Sequence, residues 1–151
     1  MNNTALAPTV DSTRVWNHAE ILKQWDVLIV SARGENSQAL LRILKDLPIH
    51  TFAAASVAQA KQVLSRHPVD LIFCEESLPD GSYRQLLELA IARNKKSRFV
   101  VILCTGEWDE YLEAIGLGVT DVLRCPLQSI DVELVLIGLG HDRYDGSEMT
   151  A

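Results

Sequence analysis

No stretch of this 151-residue chain is apolar for long enough to span a bilayer, and Met1 to Thr13 carries neither the basic start nor the apolar run of a signal peptide. A cytoplasmic location without membrane attachment is the expectation. Basic residues are also scarce. The 14 Lys and Arg against 20 Asp and Glu leave a formal net charge of -6, and Arg93 to Arg98 is the only short basic stretch. That balance argues against electrostatic capture of nucleic acid and favours protein partners. The three cysteines, Cys74, Cys104 and Cys125, form no CxxC pair and have no histidine at ligand spacing. Lying in or at the ends of apolar runs, they fit reduced core thiols better than a disulfide framework. His18, His50, His67 and His141 are scattered and expected to be exposed, so no metal centre is anticipated. A glycine-rich phosphate loop and a nucleophile beside a base are both missing, which excludes the common enzyme and cofactor signatures.

What is present is the composition of one ordinary globular domain, with 48% hydrophobic and 23% charged residues. From Asp26 onward, five apolar runs alternate with segments of helical period: Val27 to Val30, Thr51 to Ala55, Leu71 to Cys74, Val100 to Cys104 and Val119 to Leu123. Such alternation is the signature of βα units building a parallel sheet, so the fold class is α/β and doubly wound. Residues 1–24 are polar and mixed, and read as a tail or short helix, the latter over Trp16 to Lys23. The globular unit is expected over 25–140, followed by a disordered polar tail at 141–151.

The helical segments carry their own start and stop signals. Ser56 with Gln59, and Ser82 with Gln85, each match a capping box, in which serine and glutamine side chains bond free amides of the first turn. Leu40, Leu41, Leu44 and Leu47 recur at helical spacing, as do Leu86, Leu87, Ala90 and Ile91. The fourth helix, Glu107 to Leu117, begins acidic, as the helix dipole favours, and ends near Gly116 and Gly118. A fifth runs from Ser129 to about Gly140.

The third run continues as Cys74-Glu75-Glu76-Ser77-Leu78-Pro79-Asp80-Gly81. It resembles the phosphorylation strand of a bacterial response-regulator receiver, with Glu75 where the acceptor aspartate stands. Asp70 before the strand, Pro79 and Gly81 after it, Gly118 before the fifth strand and Pro126 at that strand's end extend the resemblance over residues 26–140. It implies a five-stranded sheet in the flavodoxin-like order 2-1-3-4-5, where periodicity alone leaves other doubly wound orders open. It also implies a cis bond before Pro126.

The same resemblance exposes what has been replaced. The acidic pair that holds magnesium in the family corresponds here to Ser31 and Ala32, and the conserved lysine to Cys125. The inward-swinging aromatic corresponds to Val122, and the hydroxyl after the fourth strand to Thr105, or to Cys104 if the gap is placed differently. Magnesium requires hard oxygen ligands, which Ser31 and Ala32 do not supply. Glu75 is a methylene too long for the in-line geometry of phosphoryl transfer. Glu75, Ser31, Ala32, Thr105 and Cys125 therefore form a degenerate phosphorylation site, with Arg33 a candidate charge partner of Glu75.

Ile130 to Leu139 is apolar nearly all round, more than one sheet-packing face requires. In receivers the fourth helix, fifth strand and fifth helix meet partners. Trp108, Tyr111, Ile115, Val132, Val135, Leu136 and Leu139 are the expected interaction surface, for a signalling protein or a second copy of the chain. Val15 and Trp16 folding back over it is the competing expectation. The reading is a stand-alone, non-phosphorylated receiver-like module without an output domain. Its alternatives are a regulator phosphorylated by unconventional chemistry, and a thiol or metal sensor built on Cys104 and Cys125.

Overall fold

A computed structural model of the chain describes residues 25–93 and 97–150, with side chains through residue 139. The expectations for residues 1–24, including the packing of Val15 and Trp16, lie outside the described residues. Five strands, β1 (Asp26–Val30), β2 (His50–Ala54), β3 (Leu71–Glu75), β4 (Arg98–Leu103) and β5 (Asp121–Arg124), form one sheet in the order β2-β1-β3-β4-β5. Every pairing in it is parallel. The helices are α1 (Gly34–Leu44), α2 (Val57–Arg66), α3 (Tyr83–Arg93), α4 (Trp108–Leu117) and α5 (Ser129–Thr150). A two-residue hairpin, Ser77–Leu78 with Gly81–Ser82, joins β3 to α3.

Successive side chains of a strand point to opposite faces, so a strand covered on both sides must be apolar throughout. On one face Leu28, Val30, Ile72, Cys74, Phe99, Val101 and Leu103 pack under α2, α3 and α4 through Val57, Ala60, Leu86, Leu87, Ala90 and Ala114. On the other, Val27, Ile29, Leu71, Phe73, Val100, Ile102 and Leu123 pack under Leu40 and Leu44 of α1 and Val132, Val135, Leu136 and Leu139 of α5. Leu41 and Ile91, counted above among the apolar stripes, are instead 39% and 48% exposed, because each stripe spans less than half the helix circumference.

The helix starts follow the expected chemistry with one addition. Ser56 Oγ accepts the Gln59 amide at 3.1 Å, and Gln59 Oε1 accepts the Ala55 amide at 2.7 Å. Asp80, from the turn after β3, accepts the two remaining first-turn amides of α2, Val57 at 2.8 Å and Ala58 at 3.0 Å. These amides hold the Asp80 carboxyl below its ordinary range, with Lys61 a smaller cause. Folding therefore favours the charged form. Its contribution is complete above the ordinary aspartate value of about 3.9 and disappears as pH falls through the lower folded value. Asp80→Asn is accordingly expected to lower stability at neutral pH, with the gap from wild type closing as the pH drops below about 4. Urea unfolding of both chains across that range measures it.

Gly118 ends α4 at φ +106°, a left-handed conformation that costs a side chain roughly 1–2 kcal/mol, and its amide reaches the carbonyls of Ala114 and Ile115. The bond between Cys125 and Pro126 is cis, as expected. One boundary is corrected: α5 continues to Thr150, where a polar tail was anticipated from His141. Gly138 and Gly140 do not stop it, since glycine costs a helix only about 1 kcal/mol against alanine and ends one only where the chain turns left-handed.

Candidate functional site

The parallel register brings the carboxyl ends of the central strands to one edge of the sheet. Val30 stands opposite Cys74, Glu75 opposite Ile102, and Leu103 opposite Arg124. Glu75 ends β3 and is 3% exposed.

Its carboxylate is enclosed by donors from the segment joining β1 to α1. Oε2 meets Ser31 Oγ at 2.5 Å and Asn36 Nδ2 at 2.8 Å. Oε1 accepts the Ala32 amide at 2.9 Å and, more weakly, the Arg33 amide at 3.4 Å. The Ser31 hydroxyl also lies 2.8 Å from the Arg33 carbonyl, so one proton serves two acceptors. These amides lie in the two residues just before α1, Arg33 being its N-cap, beside the helix end whose dipole favours a negative charge. A chain with no aspartate at 31 or 32 thus stabilises a buried carboxylate by folding the β1–α1 segment around it.

Ser31 and Ala32 are in place as expected, but as donors to Glu75 rather than as members of a cation site. Arg33 reaches Glu75 through its backbone amide only. Among the described residues no ion pair joins its guanidinium to Glu75, which corrects the expected charge pairing. The Ser31 hydroxyl, the amides of residues 32 and 33 and the Asn36 side chain already fill the carboxylate's acceptor sites. Magnesium does not fit this arrangement. Both Glu75 oxygens are committed to N–H and O–H donors, and Asn36 turns its nitrogen toward them, so no free pair of hard oxygens faces a cation here.

Asn36 was not anticipated. It is 5% exposed and shares the buried face of α1 with Leu40 and Leu44, at i, i+4 and i+8. A polar residue in phase with an apolar stripe was the available signal, since a buried amide requires partners. Asn36 Nδ2 also lies 3.8 Å from Cys104 Sγ and 3.7 Å from Cys125 Sγ.

Those two cysteines are joined in a disulfide, with Cα atoms 4.7 Å apart, which corrects the expectation of reduced core thiols at these positions. They follow directly after the paired ends of β4 and β5, and the Cys125 amide bonds to the Leu103 carbonyl at 3.0 Å. A separation of 21 residues conceals that neighbourhood, because it depends on the stagger of two strands. Cys104 touches the Glu75 cage through Asn36, while Thr105 lines a hollow beside it without bonding to Glu75. The exposed Thr105 hydroxyl instead accepts the Glu107 amide at 3.5 Å. Cys74 is the free thiol, fully buried on the other face. Burial, and then the charge of Glu75, push its thiol well above the ordinary range, so it is no nucleophile.

The expected interaction surface divides in two. Trp108 and Ile115 are 62% and 42% exposed on α4, and Tyr111 is half-buried, stacked on Trp108 with the Arg124 guanidinium over its ring. Val132, Val135, Leu136 and Leu139 are all buried, contrary to their expected place on the interaction surface. Their i, i+3, i+4, i+7 spacing is the inward stripe of α5, and the surplus apolar residues are Ile130, Leu134 and Ile137. Val122 is half-buried on β5. Among the described residues no group of three metal-ligating side chains occurs and no helix is long and apolar enough to cross a membrane.

No protein-family model matches the chain. It is 29% identical over 100 residues to the response regulator protein PilR of Pseudomonas aeruginosa, an alignment that covers 66% of this chain and 22% of that protein. The chain thus spans about a fifth of the curated relative it matches. Its structure is similar to the signal receiver domain of a putative Luxo repressor protein from Vibrio parahaemolyticus (TM-score 0.73, 20% identity, 84% of this chain and 97% of that one). It is likewise similar to the signal receiver domain of an HD domain-containing protein from Pseudomonas fluorescens Pf-5 (0.74, 21%, 83% and 93%). A two-component response regulator from Clostridium difficile gives 0.71 at 24% identity, over 77% of this chain and 95% of that one. With its β2-β1-β3-β4-β5 sheet between two helical layers and Glu75 at the switch-point edge, the chain has the fold of a response-regulator receiver domain.

Proposed function

We propose that the chain is a receiver-like signalling module that is not phosphorylated and acts in the cytoplasm by binding another protein or a second copy of itself. The observation that carries this reading is the enclosure of Glu75. A phosphoacceptor must present a free carboxylate oxygen beside a bound cation, and here both oxygens are held by Ser31, Ala32 and Asn36. Loss of the acidic pair and of the lysine position to Ser31, Ala32 and Cys125 supports the same reading.

The contact surface follows the edge strand β5 and the helices that pack against it, α4 and α5. Trp108, Leu112 and Ile115 on α4, with Ile130, Leu134 and Ile137 on α5, supply exposed apolar area that a protein partner would cover.

Incubation with a small acyl phosphate and magnesium is expected to leave the intact mass unchanged. Tryptophan fluorescence is expected to show no saturable response to millimolar magnesium. A phosphoryl adduct on Glu75 or Glu76 would overturn the reading.

A further inference from the structure

The Cys104–Cys125 pair has no role in the reading above, yet it shares a ligand with the centre of the site. Asn36 Nδ2 bonds to Glu75 Oε2 at 2.8 Å and touches both sulfurs, at 3.8 and 3.7 Å. Both cysteines are partly exposed, unlike Cys74. They open onto a cleft of about 510 Å³ whose wall includes Arg33, Arg42, Glu35 and Leu127. Thiol–disulfide exchange requires that a thiolate reach a sulfur, and the two arginines of the wall, which outnumber the single carboxylate of Glu35, favour both an approaching thiolate and the one released.

We propose that Cys104 and Cys125 are a reversible redox site that exchanges with a dithiol entering this cleft, and that its state is transmitted through Asn36 to the Glu75 cage. In the exchange, a thiolate of the external dithiol attacks one sulfur of the pair, the Cys104–Cys125 bond breaks, and the other sulfur leaves as thiolate. The second thiol of the donor then displaces the mixed disulfide. Two electrons and two protons pass to the chain, which ends with two thiols, and the donor ends as a disulfide. Bonded sulfurs sit about 2.05 Å apart, whereas free thiols separate to van der Waals contact and each gains an S–H. Asn36, wedged against both, must shift or turn. Its bond to Glu75 and the packing of the first turn of α1 change with it.

The test uses the whole chain, oxidised with diamide and then treated with dithiothreitol under native conditions. Maleimide labelling followed by peptide mapping is expected to rise from neither to both of Cys104 and Cys125, with Cys74 unlabelled. Hydrogen exchange at the amides of Ala32 and Arg33 is expected to become severalfold faster on reduction. In the Cys104→Ser/Cys125→Ser chain it should be insensitive to the reductant. Failure of diamide to form the bond, or a bond reducible only in denaturant, would overturn the redox site. Equal amide exchange in the two states of the wild-type chain would overturn its transmission through Asn36.

Discussion

Glu75→Ala is expected to lower the unfolding free energy by about 2–4 kcal/mol, because it removes the acceptor of charge-assisted bonds and leaves buried donors behind. The amides of Ala32 and Arg33 belong to exposed residues and recover part of their bonding from water. Ser31 and Asn36, 8% and 5% exposed, do not. Glu75→Gln keeps the volume and one acceptor oxygen but turns an NH2 toward N–H and O–H donors, so a smaller loss of about 1–2 kcal/mol is expected. Urea unfolding of the three chains gives the order wild type, Gln, Ala. Glu75→Ala matching wild type would mean that the cage contributes nothing to folding, and the β1–α1 segment would then have to be held by Leu40 and Leu44 alone.

The second large effect separates the two faces of α5. Leu136→Glu places a carboxylate among Val132, Val135 and Leu139, where the described packing offers it no partner, and is expected to cost about 4 kcal/mol or more. That is much of the 5–15 kcal/mol available to an ordinary domain, so the chain should be largely unfolded or aggregated. Leu134→Glu, on the outward face at 58% exposure, is expected to change stability by about 0.5 kcal/mol or less. If a second copy docks on α4–β5–α5, sedimentation should show a dimer in wild type and a folded monomer in Leu134→Glu. Equal-sized monomers would assign the outer stripe to a different protein. A folded, stable Leu136→Glu chain would contradict the burial on which both halves of this comparison depend.

These substitutions also show where the sequence was legible. Strands read as short apolar runs fall within about two residues of the observed ones, and for the central β1, β3 and β4 the reason is burial on both faces, which leaves only apolar residues inside the strand. The strand order came from the resemblance around Leu71 to Gly81, not from periodicity, since every doubly wound sheet has the same alternation. The carboxylate at position 75 could be placed at the sheet edge from the chain alone. Its partners could not, because Asn36 approaches from a helix that begins 41 residues earlier, and two of the donors are backbone amides, which any residue supplies. On α5 the error had a definite cause. With Ile130, Val132, Leu134, Val135, Leu136, Ile137 and Leu139 all apolar, hydrophobicity does not by itself say which stripe faces inward. Asp131 and Glu133 flank both stripes on the helical wheel, so the charged residues bound the two apolar faces without choosing between them.

The cage around Glu75 also means that a cation site could be rebuilt on this scaffold only by paired changes. Ser31 Oγ already lies 2.5 Å from the carboxylate, so Ser31→Asp introduced first would set a second negative charge against it. At a separation of about 4 Å and an effective dielectric near 20, that repulsion is about 4 kcal/mol. Glu75→Asp introduced first draws the carboxylate back from Ser31 and Asn36, at the cost of their bonds, and opens room for a cation. Each change is unfavourable alone and becomes tolerable only beside the other and the metal. Single-site libraries scored for stability would therefore discard both, and the two positions must be varied together, with magnesium present during selection.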